Sequence, residues 1–270
     1  MTKIAFIGAG NMAKAIIMGL VSNSFTPENI MVANPSAEKR LALANELGIL
    51  QTANNIEAVN FADVIVLCVK PYLICDVCQQ ISSNIDITGK NFISVAAGTT
   101  VKQIQQALSG MYPVIRVMPN TPTQLGLGMS GLFASTQVSI EQKQVAEQLM
   151  MAVGKIIWLK TEDQIDNVIA VAGSAPAYFF LFMEAMEKQA QQLGFSAKES
   201  RMLVEQTALG AAQMVIQNKV PISQLRENVT SKGGTTQAAL KQFEQDGLEE
   251  IVANAMNAAI KRAKEMAQKS

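Results

Sequence analysis

The stretch Ile4-Ala5-Phe6-Ile7-Gly8-Ala9-Gly10-Asn11-Met12-Ala13 decides the fold of this 270-residue chain. The apolar run Ile4–Ile7 predicts a buried strand, and Asn11–Ser22 predicts a helix. The glycines must turn one into the other. Gly8 permits the tight turn, Gly10 lets a pyrophosphate approach the backbone, and Ala13 is small enough for close helix–strand packing. Free N–H groups and the positive helix end then favour phosphate. On this reading Gly8, Gly10, Asn11 and Met12 cradle a dinucleotide. A glycine-rich turn without a ligand is the bland alternative.

Working outward, strands at Asn29–Ala33, Val64–Val69, Phe92–Val95, Val114–Val117, near Gly131–Ala134 and at Ile156–Leu159 alternate with helices at Ser36–Leu47, Leu73–Asn84, Val101–Leu108 and from Ser139 to about Val153. That order predicts an α/β domain with a mostly parallel sheet covered on both faces. From Glu162 onward the pattern is helical: Asp163–Val171, Ala177–Leu193, Ser196–Gln217, Ile222–Asn228, Thr235–Asp246 and Leu248–Lys269. Ser196 with Glu199 forms a capping box. The expected division is residues 1–160 for nucleotide binding and 161–270 for an all-α domain. The helix Ala177–Leu193 is apolar around much of its circumference. Such a helix is buried, either by its own domain or, as this reading favours, against a second copy.

Composition narrows the function classes. The formal net charge is zero, so no basic field points to nucleic acid or an anionic membrane. Histidine is absent, which removes the commonest general acid–base and the commonest zinc ligand. Cys75 and Cys78 make a lone C-x-x-C with no second pair, so the three cysteines read as buried, reduced thiols and no metal site is expected. No secretion signal is read at the N-terminus, and Ala175–Met183 is short for a bilayer span. The expectation is a cytoplasmic protein.

The ends of parallel strands collect candidate loops. Asn34 stands where an acidic residue would bond a ribose 2′-hydroxyl and repel a 2′-phosphate. With Ser36 and Arg40 beside it, NADP(H) is favoured over NAD(H), the alternative for Arg40 being that it simply faces solvent on its helix. Val69-Lys70-Pro71, Ala96-Ala97-Gly98-Thr99 and Met118-Pro119-Asn120-Thr121-Pro122 lie at the same edge. In the helical half, Asn228-Val229-Thr230-Ser231-Lys232-Gly233-Gly234-Thr235-Thr236 leads straight into a helix. It reads equally as a helix cap or as an anion site.

Six stretches together resemble the pyrroline-5-carboxylate reductase family: Gly8–Ala13, Val69–Pro71, Ala97–Thr99, Arg116–Pro122, Ala172–Tyr178 and Val229–Thr236. The resemblance runs along nearly the whole chain, and Arg116–Pro122 with Ser231–Thr236 is its specific part. It implies a Rossmann domain, a helical dimerisation domain, a homodimer or ring of dimers, and NAD(P)H-dependent reduction of 1-pyrroline-5-carboxylate to L-proline. It also implies that Asn34, Ser36 and Asn55 hold the adenosine end. Val69, Lys70 and Pro71 would line the cofactor, with Ala97 near the nicotinamide. Glu162, Asn228, Val229, Ser231, Gly234, Thr235 and Thr236 fall where the family meets cofactor or substrate, Asn228 on the cofactor side. Thr236 would hydrogen-bond the ring nitrogen as the catalytic group. Lys232, Ala172 and Ala175 depart from the family's usual residues; Ala175 would matter if its position needs a positive φ. The competing readings are another Rossmann imine or β-hydroxyacid reductase, which would be expected to carry a catalytic lysine in the helical half, and a non-catalytic NADP-binding regulator.

Overall fold

A computed structural model describes residues 2–267. Every side chain of β1 (Ile4–Ile7) is buried, with Ile4 and Phe6 in one apolar layer and Ala5 and Ile7 in the other. A strand covered on both faces needs no polar alternation, hence the unbroken apolar run. Helix α1 (Asn11–Ser22) buries Ala13, Ile16, Ile17 and Leu20 in the first of those layers.

The chain continues through β2 (Ile30–Ala33), α2 (Ala37–Leu47), β3 (Leu50–Thr52), α3 (Asn55–Phe61), β4 (Val64–Leu67), α4 (Ile74–Asn84), β5 (Asn91–Ser94), α5 (Val101–Ala107), β6 (Val114–Met118), β7 (Gly128–Ala134), α6 (Ile140–Met151) and β8 (Gly154–Trp158). The eight strands lie in the order β3-β2-β1-β4-β5-β6-β7-β8. The first six are parallel; β7 is antiparallel to β6 and parallel to β8. The order reverses at β1, and that reversal opens a crevice at the C-terminal edge of the sheet. Two elements, β3 and α3, go beyond the sequence reading. The first is three residues long and begins with an exposed leucine.

The helical half comprises α7 (Gln164–Val168), a π turn at Ile169–Gly173, α8 (Ala175–Gln192), α9 (Ala197–Gln217), α10 (Ile222–Asn228), α11 (Thr235–Gln245) and α12 (Leu248–Ala267). The Ser196–Glu199 capping box opens α9 as read from the sequence. The last two positions of the expected Leu248–Lys269 helix lie outside the described residues.

The first compact unit runs to Pro176, Ala177–Asn257 forms the second, and the chain rejoins the first at Ala258. The last strand ends at Trp158, near the boundary read from the sequence. The first unit extends past it because Ile165, Ile169 and Ala170 are buried where α7 and the π turn meet β7. Near the chain's end, Ala263 is likewise buried.

The second unit has almost no interior. Ser200 and Val204 are the buried residues of Ala177–Asn257. Phe179, Phe180, Leu181 and Phe182 are all exposed on α8, and Phe182 meets Phe243 of α11 at a ring-centroid distance of 6.1 Å. This domain therefore does not bury its greasiest helix within one chain. The helical run Gln164–Gln192 also has the length and apolar composition of a membrane span. The apolar run Ala175–Met183 ends at Glu184, whereas the helix continues through the π turn on one side and to Gln192 on the other.

Candidate dinucleotide and substrate sites

Strand register brings Thr52, Ala33, Ile7, Leu67, Ser94 and Arg116 into one transverse row at the C-terminal edge. Gly8 lies just beyond that row. Its N–H donates to the Ala33 carbonyl at 2.8 Å. Its φ is +109°, and an added Cβ would stand 2.8 Å from the Cys68 carbonyl oxygen. Gly8 is therefore required by the fold. Gly10 is not: its φ of −83° suits any residue, and nothing lies within 4 Å of an added Cβ. It is exposed and caps α1 without a side-chain hydrogen bond. The first-turn amides, including those of Asn11 and Met12, have no intrahelical acceptor. A glycine that neither conformation nor packing explains leaves a cradle that a side chain would fill, which fits a pyrophosphate.

At the end of β2, the Asn34 Oδ1 accepts the Ala9 N–H at 3.3 Å, and its Nδ2 donates to the Ser36 carbonyl at 3.4 Å. Ser36 is exposed beside it. Arg40 is engaged with protein acceptors: its Nε donates to Gln51 at 2.8 Å, and one terminal nitrogen donates to the carbonyls of Asn34 and Pro35 at 3.2 and 3.1 Å. It staples the β2–α2 turn to β3 and brings its charge to that turn. Asn55 bonds Gln80 at 3.1 Å at the start of α3.

On the other side of β1, Val69 is half-buried, Lys70 is exposed, and Pro71 opens a 3-10 turn. Ala97 is half-buried, next to Gly98 with a φ of +79°. Beyond it, Val101 donates its N–H to the Glu162 Oε1 at 2.7 Å, and Arg116 donates to the same oxygen at 2.8 Å. Arg116 is 4% exposed. In the sequence it stands inside the Arg116–Pro122 motif with no role of its own. A charge inside an otherwise apolar strand was the signal, since a buried charge demands a partner. Asn120 of the same motif is buried too. Its Nδ2 donates to the Ala172 carbonyl at 3.1 Å, and its Oδ1 accepts the Met129 N–H at 2.9 Å.

The remaining sequence-derived site residues belong to the second unit. Asn228 ends α10, Val229 is 57% exposed, and Ser231 accepts the Gly234 N–H on its carbonyl at 3.0 Å. Gly234, not Thr235 or Thr236, caps α11, and no side chain caps its first turn. The two hydroxyls are thus free of the capping role the sequence had left open, and the first-turn amides suit an anion. A cleft of about 640 Å³ between α10 and α11 includes Thr230, Gly233, Gly234 and Gln237.

Residues 162–266 match the family model "Pyrroline-5-carboxylate reductase dimerisation". Residues 3–98 match "NADP oxidoreductase coenzyme F420-dependent". The pyrroline-5-carboxylate reductase of Vibrio alginolyticus is 54% identical over 98% of this chain and 97% of its own. The chain belongs to the pyrroline-5-carboxylate reductase family. A solved pyrroline-5-carboxylate reductase from Coxiella burnetii superposes with a TM-score of 0.92 at 42% identity, covering 98% of both chains. The Plasmodium falciparum pyrroline carboxylate reductase, solved with NADP bound, gives 0.89 at 28% identity with the same coverage. Against that family Ala175 carries no backbone strain. It opens α8, and among the described residues only Ser24 and Ser109 are non-glycines with positive φ.

Proposed function

We propose that this protein reduces 1-pyrroline-5-carboxylate to L-proline, the last step of proline synthesis, with NADP(H) favoured and NAD(H) as the second choice. Near-full-length identity of 54% to a reductase of that name carries the reaction; the unexplained Gly10 carries the dinucleotide. Asn34, Ser36, Arg40 and Asn55 hold the adenosine end, Gly8, Gly10, Asn11 and Met12 the pyrophosphate. Strand order then directs the other half of the cofactor toward β4 and β5, where Val69, Lys70, Pro71 and Ala97 lie. Bound NADPH supplies the hydride. Asn228 meets the cofactor, and Val229, Ser231 and Gly234 shape the substrate loop. The substrate carboxylate rests on the Thr235 and Thr236 amides, and the Thr236 hydroxyl orients the ring N–H. A cyclic imine binds already protonated, so position and electrostatics replace a strong acid, which suits a chain without histidine.

The functional division at about residue 160 is part of this reading, as is a homodimer, with a ring of dimers built on it. The exposed α8 supports a second copy as the partner of the helical half. Glu184, Glu187 and Lys188 punctuate that helix and disfavour a bilayer. Three free thiols support a reducing cytoplasm, although only Cys78 is buried as expected and Cys68 and Cys75 are half-buried. The β-hydroxyacid reading is disfavoured at the long apolar helix, whose one lysine, Lys188, is exposed and ion-paired to Glu184 at 2.7 Å. Oxidation of NADPH in the presence of pyrroline-5-carboxylate tests the proposal, and no turnover would overturn it.

A further inference from the structure

The loop from Ala97 to Thr100 joins β5 to α5. At its near end, Val95 donates to the Leu67 carbonyl at 3.2 Å, which fixes the exit from the sheet. At its far end Thr100 and Gln103 form a capping box. Between them, Gly98 adopts a conformation that other residues rarely take, and Thr99 is fully buried with no partner for its hydroxyl. Such a loop gains its place from its ends and from the close of α12, where Met266 and Ala267 lie against Gly98. The Val101 N–H belongs to the first turn of α5, where a helix offers no acceptor of its own. Glu162 supplies one from 61 residues away, and Arg116 holds that same carboxylate oxygen. Arg116 is fixed in turn, because its strand pairs with β5 in a register that sets Arg116 beside Ser94.

We propose that Glu162, held by Arg116, is a positioning residue for the nicotinamide half of the cofactor: it sets the Ala97–Thr100 loop through Val101. This rests on the dinucleotide reading above. The Arg116 guanidinium neutralises a carboxylate that would otherwise sit close to an anionic cofactor, and the carboxylate converts the buried arginine into a strut for α5. Neither residue need touch substrate to do so.

The test separates the two ends of the cofactor. NADPH and adenosine 2′,5′-bisphosphate, which lacks the nicotinamide half, are titrated against wild type and Glu162→Ala without substrate. The expected result is that NADPH binding weakens about fivefold, the net worth of about one hydrogen bond, while the bisphosphate is unaffected. Glu162→Gln, which retains the acceptor for Val101, restores most of the loss. Equal weakening of both ligands would mean a general structural defect and overturn the proposal, as would unchanged NADPH affinity. Should Glu162→Ala not fold, Glu162→Asp keeps the charge for Arg116 but withdraws the oxygen from Val101, and the same pattern is expected. Because no turnover is read, the outcome stands apart from the identity of the imine substrate.

Discussion

The Oδ1 of Asn34 accepts the backbone N–H of Ala9, so the end of β2 is hydrogen-bonded to the glycine turn that follows β1. An aspartate could accept the same hydrogen bond. It would add a negative charge where a 2′-phosphate is expected. Asn34→Asp should therefore keep the fold and lower kcat/KM for NADPH relative to NADH by about tenfold, about 1.4 kcal/mol. Steady-state kinetics with both cofactors measures the ratio. An unchanged ratio would remove Asn34 from the discrimination.

The two glycines of the turn should respond oppositely to the same substitution. Gly8→Ala forces a Cβ against the Cys68 carbonyl at a positive φ and should cost about 2 kcal/mol of stability or more. Gly10→Ala meets no protein atom. It should change stability by about 0.5 kcal/mol yet abolish most NADPH binding. Thermal melts beside fluorescence titrations distinguish the two effects. A Gly10→Ala protein that binds NADPH normally would empty the cradle of its meaning.

That contrast also shows how far the sequence could be read. The unbroken apolar strands and the glycine turn were legible because both faces of the sheet are covered and because a turn of that kind demands glycine. The strand Leu50–Thr52 was not, being short, at the sheet edge and half polar. Helix α3 is seven residues long and carries no clear period. The Glu162–Arg116 pair spans 46 residues, a separation that no local pattern encodes. The staple made by Arg40 was hidden for another reason: sequence offered solvent or phosphate as its partner, and the fold supplied two backbone carbonyls and Gln51.

In the helical half, Thr236→Ala should lower kcat/KM by about tenfold to a hundredfold, the range for a hydrogen bond to a charged group. Full activity in this variant would dismiss the hydroxyl as the group that orients the ring nitrogen.

Alkaline pH should destabilise the fold through Cys78. Burial, and to a lesser degree the neighbouring Cys75, pushes its thiol up to about 12 from an ordinary 9.0. The unfolded chain then releases its proton first. Stability is therefore full below about pH 9 and falls as pH rises toward the folded value, by up to about 1.4 kcal/mol per pH unit. Denaturant midpoints compared between about pH 8 and about pH 10.5 should show a steeper loss in wild type than in Cys78→Ala. Parallel curves would refute the assignment.

The exposed face of α8 predicts self-association. Light scattering should give at least twice the 29.0 kDa chain mass. Leu181→Asp, at a side chain 68% exposed in the single chain, should lower that mass or precipitate the protein, since a buried unpaired charge costs several kcal/mol. A monodisperse oligomer unaffected by this change would place the contact elsewhere.

The return of the chain to its first unit at Ala258 bears on how the protein is made. An added Cβ on Gly98 would stand 3.4 Å from the Met266 Cβ and 3.3 Å from the Ala267 nitrogen, so the end of α12 is a wall of the Ala97–Gly98 loop. On the ribosome the glycine turn and all eight strands emerge first and the whole helical half follows, yet that wall is absent until Met266 has been synthesised. The nucleotide half is thus translated early and finished late. A nascent chain arrested before Ala258 would hold its cofactor loop through Glu162 and Val101 but leave the Gly98 side open, however completely its sheet had formed.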